Sequence, residues 1–144
     1  MDIVKTAALS WSLIALCVFV HYEAFRWISD RFALPHVKDR RLVLEVVGIA
    51  LIAHTLEMLL FAGGYYIADN VIDVGDLAGT HAPQAMDYVY FSMETYTSLG
   101  LGDIHPTGAM RLMVGLETLA GLILIGWSTS FTYLSMRRFW KMRD

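Results

Sequence analysis

The chain has 144 residues, of which 56% are apolar, and carries a formal net charge of −3 with a mean hydropathy of +0.50. That length leaves room for one domain, and that hydropathy excludes an ordinary soluble globule in favour of an all-α integral membrane protein. The single Cys17 excludes an internal disulfide and, within an apolar run, reads as a small packing residue.

Three segments reach the roughly 20 apolar residues that a helix needs to cross a bilayer. The first runs from Ile3 to Tyr22. Its start, Met-Asp-Ile-Val-Lys, is not a basic cluster, and Val20-His21-Tyr22-Glu23 offers no small-residue cleavage site, so residues 1–23 are expected to stay as an N-terminal transmembrane helix. The connection 24–41 interleaves Arg26, Arg31, Lys38, Arg40 and Arg41 with Trp27, Ile28, Phe32 and Leu34. That pattern suits an amphipathic segment on an anionic leaflet, broken at Pro35, with lipid headgroups as partners of the five bases.

The second span covers 42–68 and the third 110–136. Between them, Asp69, Asp73, Asp76 and Asp87 have no compensating base. They read either as a cation-concentrating rim or as an ordinary acidic loop. The apolar stretch 85–97 is too short to span. Irregular backbone is excluded from lipid, so this half-helix and the glycine-containing return after it must be surrounded by protein, as a re-entrant element.

Nine of the eleven Lys and Arg residues fall in 24–41 and in the tail 137–144, and none lies between Leu42 and Met110. The positive-inside rule then places both clusters in the cytoplasm, with the N-terminus and the return loop outside.

Residues Thr95 to Asp103 read TYTSLGLGD and lie at the end of the half-helix and directly after it. Alternating glycines permit the φ/ψ values that turn successive carbonyl oxygens toward one axis, where they replace the water around a cation. Met93 to Pro106, METYTSLGLGDIHP, resembles the potassium-channel pore family, with Ser98-Leu99-Gly100-Leu101-Gly102 standing where that family has TVGYG. The resemblance extends loosely over 42–136. It implies an outer helix at 42–68, a pore helix at 85–97, a filter at 98–102 and an inner helix at 110–136. It also implies a four-fold homotetramer and a monovalent cation, K+ or Na+, at Ser98, Leu99, Gly100 and Leu101.

Ser98 keeps the hydroxyl of the family threonine, and Leu99 replaces valine. Leu101 replaces an aromatic residue that braces the filter, which implies looser potassium selectivity. Tyr90, Phe91 and Tyr96 are the candidates for an aromatic cuff. Glu94 and Asp103 match an acid behind the filter and an acid at its mouth, expected to share a proton. Gly121 stands where inner helices carry a hinge glycine, although it also suits close helix packing. Leu122, Ile125 and Thr129 match cavity-lining positions.

Ionisable groups within spans must face protein, water or a partner. His54 and Glu57 share a helical face and read as a proton-sensing pair or as a polar clamp. Glu117 reads as a third such group or as an anchor for the pore helix. Repeats, phosphate-binding loops, Cys/His metal spacings, nucleophile–base pairs and an arginine series are not found, so neither an enzyme nor a nucleic-acid partner is expected. With a tail as short as 137–144, no cytoplasmic ligand-binding domain is expected. The expectation is a cation channel, potassium-conducting, in a plasma membrane and specifically a bacterial inner membrane. The alternatives are a non-selective or sodium-permeable channel, a transport subunit, or a non-conducting adaptor.

Overall fold

The computed structural model describes residues 1–32, 41–79 and 83–140. Helix α1 spans Asp2–Phe32, α2 Leu42–Asn70, α3 Ala85–Tyr96 and α4 Met110–Trp140. Strands β1 (Leu77–Ala78) and β2 (His105–Pro106) pair antiparallel, Leu77 opposite Pro106 and Ala78 opposite His105. Helices α1, α2 and α4 are each long and apolar enough to cross a membrane, and α3 is a half-length helix between the last two.

Helix α1 runs past the expected end at residue 23, because nothing before Pro35 breaks it and its later turns have a surface to bury. Phe25 and Ile28 pack with Leu42, Val46 and Ala50 of α2 and with Phe131 of α4. Two of the five bases assigned to lipid are engaged elsewhere. Arg26 pairs with Glu23 at 2.9 Å; Arg31 lies 3.4 Å from Glu45 and stacks over Trp27. Lys38, Arg40 and the expected break at Pro35 lie outside the described residues.

A second core joins Cys17 of α1 with Phe61 and Tyr65 of α2, Tyr88 and Phe91 of α3, and Met110, Met113 and Leu124 of α4. Helix α1 therefore packs against both spans of the pore unit. Gly64 makes this possible, since a Cβ there would run into the side chains of Leu13 and Met113.

The acids of the outer loop are largely structural. Asp69 accepts from the Tyr88 hydroxyl at 2.6 Å, and Asp87 closes a capping box on the Gln84 N–H at 2.7 Å, which starts α3. Asp76 exchanges bonds with Thr107, its N–H donating to the Thr107 hydroxyl and its carbonyl accepting the Thr107 N–H, both at 2.9 Å. With the β1–β2 pair, this strap ties the loop after α2 to the segment that leads into α4.

Gly121 is buried where α4 crosses the end of α3, and a Cβ there would collide with the carbonyl oxygen of Tyr96. Nearby, the Thr118 hydroxyl donates to the Thr95 carbonyl at 3.2 Å. The glycine thus serves close packing of the inner helix on the pore helix. Because the obstacle is backbone, Gly121→Ala is expected to destabilise the protein by about 1 to 3 kcal/mol. Gly63→Ala, at an exposed site with no atom within 4 Å, should be neutral or mildly stabilising. Thermal unfolding in detergent compares the two, and equal melting temperatures would rule out this packing role.

Candidate ion filter and the buried networks behind it

Helix α3 ends at Tyr96, and the chain then alternates in hand. Ser98, Gly100 and Gly102 have φ of +61°, +55° and +82°, whereas Leu99 and Leu101 do not enter the positive region. Alternation of this kind reverses the peptide plane at each residue, so successive carbonyls can point to one side. Ser98 carries the strain of a left-handed conformation without being glycine, a cost on the order of 1 to 3 kcal/mol. A Cβ at Gly100 or Gly102 would meet no atom of the same chain within 4 Å. Within the chain, their requirement for glycine is therefore conformational.

The segment is held from behind by the last turn of α3. The Glu94 carbonyl accepts from the Leu99 N–H at 2.7 Å and from the Gly100 N–H at 3.3 Å, and its carboxylate accepts from the Leu101 N–H at 3.1 Å. Asp103 takes the Tyr90 hydroxyl at 3.2 Å. The two acids thus have separate partners instead of the expected hydrogen bond to each other. Burial holds the Glu94 carboxyl above its usual range, the negative charge of Asp103 adds to the shift, and the Leu101 N–H opposes it.

The three aromatic residues part company. Tyr90 reaches the filter mouth, and Phe91 packs edge-on against Tyr65 while lining a cleft beside Glu94, Ser98, Gly100 and Gly102. Tyr96 turns away from the filter into the helix bundle. Leu99 and Leu101 are more than 60% exposed in the single chain, so no cuff closes on them within it. On α4, Leu122 and Thr129 are exposed, and Ile125 and Thr129 line a groove of about 410 Å³ between α2 and α4.

Two buried polar networks lie behind the filter. In the first, Glu117 of α4 accepts from the Tyr65 hydroxyl of α2 at 2.5 Å and faces the Ser92 hydroxyl of α3 at 2.6 Å. Ser92 also lies 2.7 Å from the Met58 carbonyl. Glu117 is therefore the link between the pore helix and both long helices beside it.

The second network is built on Glu57, which is fully buried. Its Oε1 lies 2.8 Å from His21 Nδ1, and its Oε2 lies 2.9 Å from His54 Nδ1 and accepts a short hydrogen bond from the Tyr96 hydroxyl. His54 Nε2 and His21 Nε2 both face the Ser128 hydroxyl, at 2.9 and 3.3 Å. The expected His54–Glu57 pair is present, but it is part of a five-residue cluster drawn from all four helices. Spacing along the chain had suggested no metal-ligand set; in space His21, His54 and Glu57 offer ligand atoms within 4.8 Å of one another. Among the described residues, no buried side-chain nitrogen or oxygen lacks a hydrogen-bond partner.

His21 and Ser128 were not singled out by sequence, nor were Tyr65 and Ser92, and Tyr96 was expected in the aromatic cuff instead. One signal was available for His21, an ionisable side chain at the end of an apolar run. The hydroxyl partners carry no such mark.

A family model described as an ion channel matches residues 53–136, well over half of the chain. The chain belongs to this ion-channel family, and the matched region holds most of α2, the half-helix, the filter segment and most of α4. No curated protein and no solved structure matches the chain.

The upward shift at Glu94 has a testable sign. A carboxyl whose folded value is raised binds protons more tightly in the folded state, so its contribution is most favourable below about pH 4.3, the usual Glu value. It is lost as pH rises through the raised folded value. Glu94→Gln keeps an acceptor for the Leu101 N–H and removes the titration. In a comparison of melting temperature against pH, the wild-type decline across this window should flatten in the variant; parallel curves would exclude Glu94 as its source.

Proposed function

We propose that four copies of the chain surround one axis and conduct potassium passively through Ser98 to Gly102, with backbone carbonyls replacing the ion's hydration shell. The observation that carries this reading is the alternation of φ at Ser98, Gly100 and Gly102 directly after a half-length helix. Each chain has one such segment, so encirclement needs several copies, and closed cyclic symmetry is the usual solution for identical subunits. The cleft beside the filter and the exposed Leu99 and Leu101 supply surface for a neighbouring subunit to cover.

A sodium-permeable or non-selective filter is the second reading. Leu101 favours it, because an exposed leucine brings no hydroxyl or ring to brace the carbonyl cage. In either case the protein conducts and catalyses nothing. The basic clusters at 24–41 and 137–144 support a cytoplasmic C-terminus and an N-terminus outside, in a plasma membrane of bacterial inner-membrane type. The five bases Arg26, Arg31, Lys38, Arg40 and Arg41 support anionic headgroups as partners of this segment, Arg26 and Arg31 being shared with acidic side chains. His54 and Glu57 act as the proton-responsive element.

Reconstituted liposomes provide the test. Wild-type protein should pass potassium and rubidium, with the reversal potential under potassium against sodium separating the two readings. Gly100→Ala should lose most of the flux, since alanine at φ +55° costs about 1 to 2 kcal/mol in each subunit. No flux of any of the three ions, or a monomer or dimer in detergent, would reject a tetrameric channel.

A further inference from the structure

The hydrogen bonds around Glu57 form a closed ring, and counting its hydrogens fixes how many protons it must hold. The links run Glu57 to His21, His21 to Ser128, Ser128 to His54, His54 to Tyr96, and Tyr96 back to Glu57, five in all. The contact of His54 Nδ1 with Glu57 Oε2 is a chord across the last two links. With Glu57 as carboxylate and both imidazoles neutral, His21, His54, Tyr96 and Ser128 supply one hydrogen each. Four hydrogens cannot fill five links. The fifth is one further proton, carried by the carboxyl group or by either imidazole.

The same proton balances the charge. Glu57 and His21 are fully buried, and there is no Lys or Arg between Leu42 and Met110. The other groups facing the ring are the Cys17 thiol of α1, 3.9 Å from the Glu57 carbonyl, and Glu117 of α4, which is occupied by Tyr65 and Ser92. Neither supplies a positive charge. Without its proton the ring is a buried anion with two lone pairs left facing each other, both unfavourable in an apolar medium. The longest link, Ser128 to His21 at 3.3 Å, is the one that yields. That link joins α1 to α4 in the helix half beyond Gly121. Ser128 and His54 also border the groove between α2 and α4, which gives the proton a route in.

We propose that His21, His54, Glu57, Tyr96 and Ser128 form a proton-locked clasp that fastens the N-terminal helix to the inner helix and opens when its single shared proton leaves. This rests on reading His54 and Glu57 as proton-responsive and adds the proton count, the three further members and the pair of helices they join. His21, His54 and Glu57 also bring ligand-type atoms within 4.8 Å of one another. Each of their nitrogens and oxygens already faces a hydrogen-bonding partner, so the ring is complete with a proton.

The test is a distance measurement that does not depend on conduction. Spin labels at the exposed positions Tyr22 and Ser130, in protein with Cys17→Ala in lipid nanodiscs, report the α1–α4 separation by pulsed electron resonance across pH. Wild type should pass from a narrow, short distribution at low pH to a longer, broader one at high pH. Glu57→Gln supplies the fifth hydrogen without a charge and should keep the short distribution throughout; Ser128→Ala breaks the ring and should keep the long one. A wild-type distance independent of pH, or both variants titrating like wild type, would overturn the clasp. A shift that follows added zinc and chelator at constant pH would replace the proton with a metal ion. Loss of ion flux with the distance change intact would reject the channel and leave the clasp standing.

Discussion

Two carboxylates buried in an apolar bundle, with no Lys or Arg among their hydrogen-bond partners, set the terms for the rest of the structure. Burying an unpaired carboxylate costs several kcal/mol even after relaxation, a large part of the stability of a small domain. Glu57 and Glu117 therefore have to be met by hydroxyl and imidazole groups. Those groups come from three helices, His21 from α1, His54 and Tyr65 from α2, Ser92 and Tyr96 from α3, and Ser128 of α4 in turn meets both imidazoles. Satisfying the two acids fixes how the four helices sit, because a slide of any one of them would strand a polar atom.

The same two networks position the filter. Helix α3 is gripped near its middle by Ser92 and at its end by Tyr96, while Gly121 lets α4 close on the Tyr96 carbonyl. Its last turn is thereby immobilised, and that turn provides the Glu94 carbonyl and carboxylate that hold Leu99, Gly100 and Leu101. The strained backbone at Ser98 is maintained by this scaffold, as strain at functional sites generally is. Helix α3 is thus fastened by polar bonds inside the chain, and Leu99 and Leu101 stay exposed just past its end.

Much of this was legible in the sequence, for physical reasons that also explain what was hidden. The three spans and the half-helix follow from runs of apolar residues, and two of the left-handed turns after the half-helix fall at Gly100 and Gly102, where the sequence offers glycine. Glu57 and Glu117 stood out because charge inside an apolar span is expensive. Their partners did not, since Ser92, Ser128 and Tyr65 are ordinary in membrane helices and acquire meaning only from what they face, and Tyr96 was expected beside the filter instead of in the bundle. His21 is separated from Glu57 by 36 positions, beyond the reach of any helical periodicity. The overlong α1 was missed because the bases from Arg26 onward suggested a surface segment, whereas Phe25 and Ile28 on the opposite side of the same turns had a core to enter.

The family match begins at residue 53, so it leaves out α1 entirely. If that helix were an appendage, the pore unit would be complete without it, and Glu57 would keep the donors of its own unit, His54 and Tyr96, and need no other. Instead, one oxygen of Glu57 is supplied only by His21, and the Ser128 hydroxyl on α4 stands between His21 and His54. Removing α1 would leave a buried carboxylate half-satisfied and expose the apolar faces of α2 and α4 that Leu13, Cys17, Phe25 and Ile28 cover. The first helix therefore completes the packing of α2 and α4, and it is tied to α4 by a polar contact as well as by apolar ones.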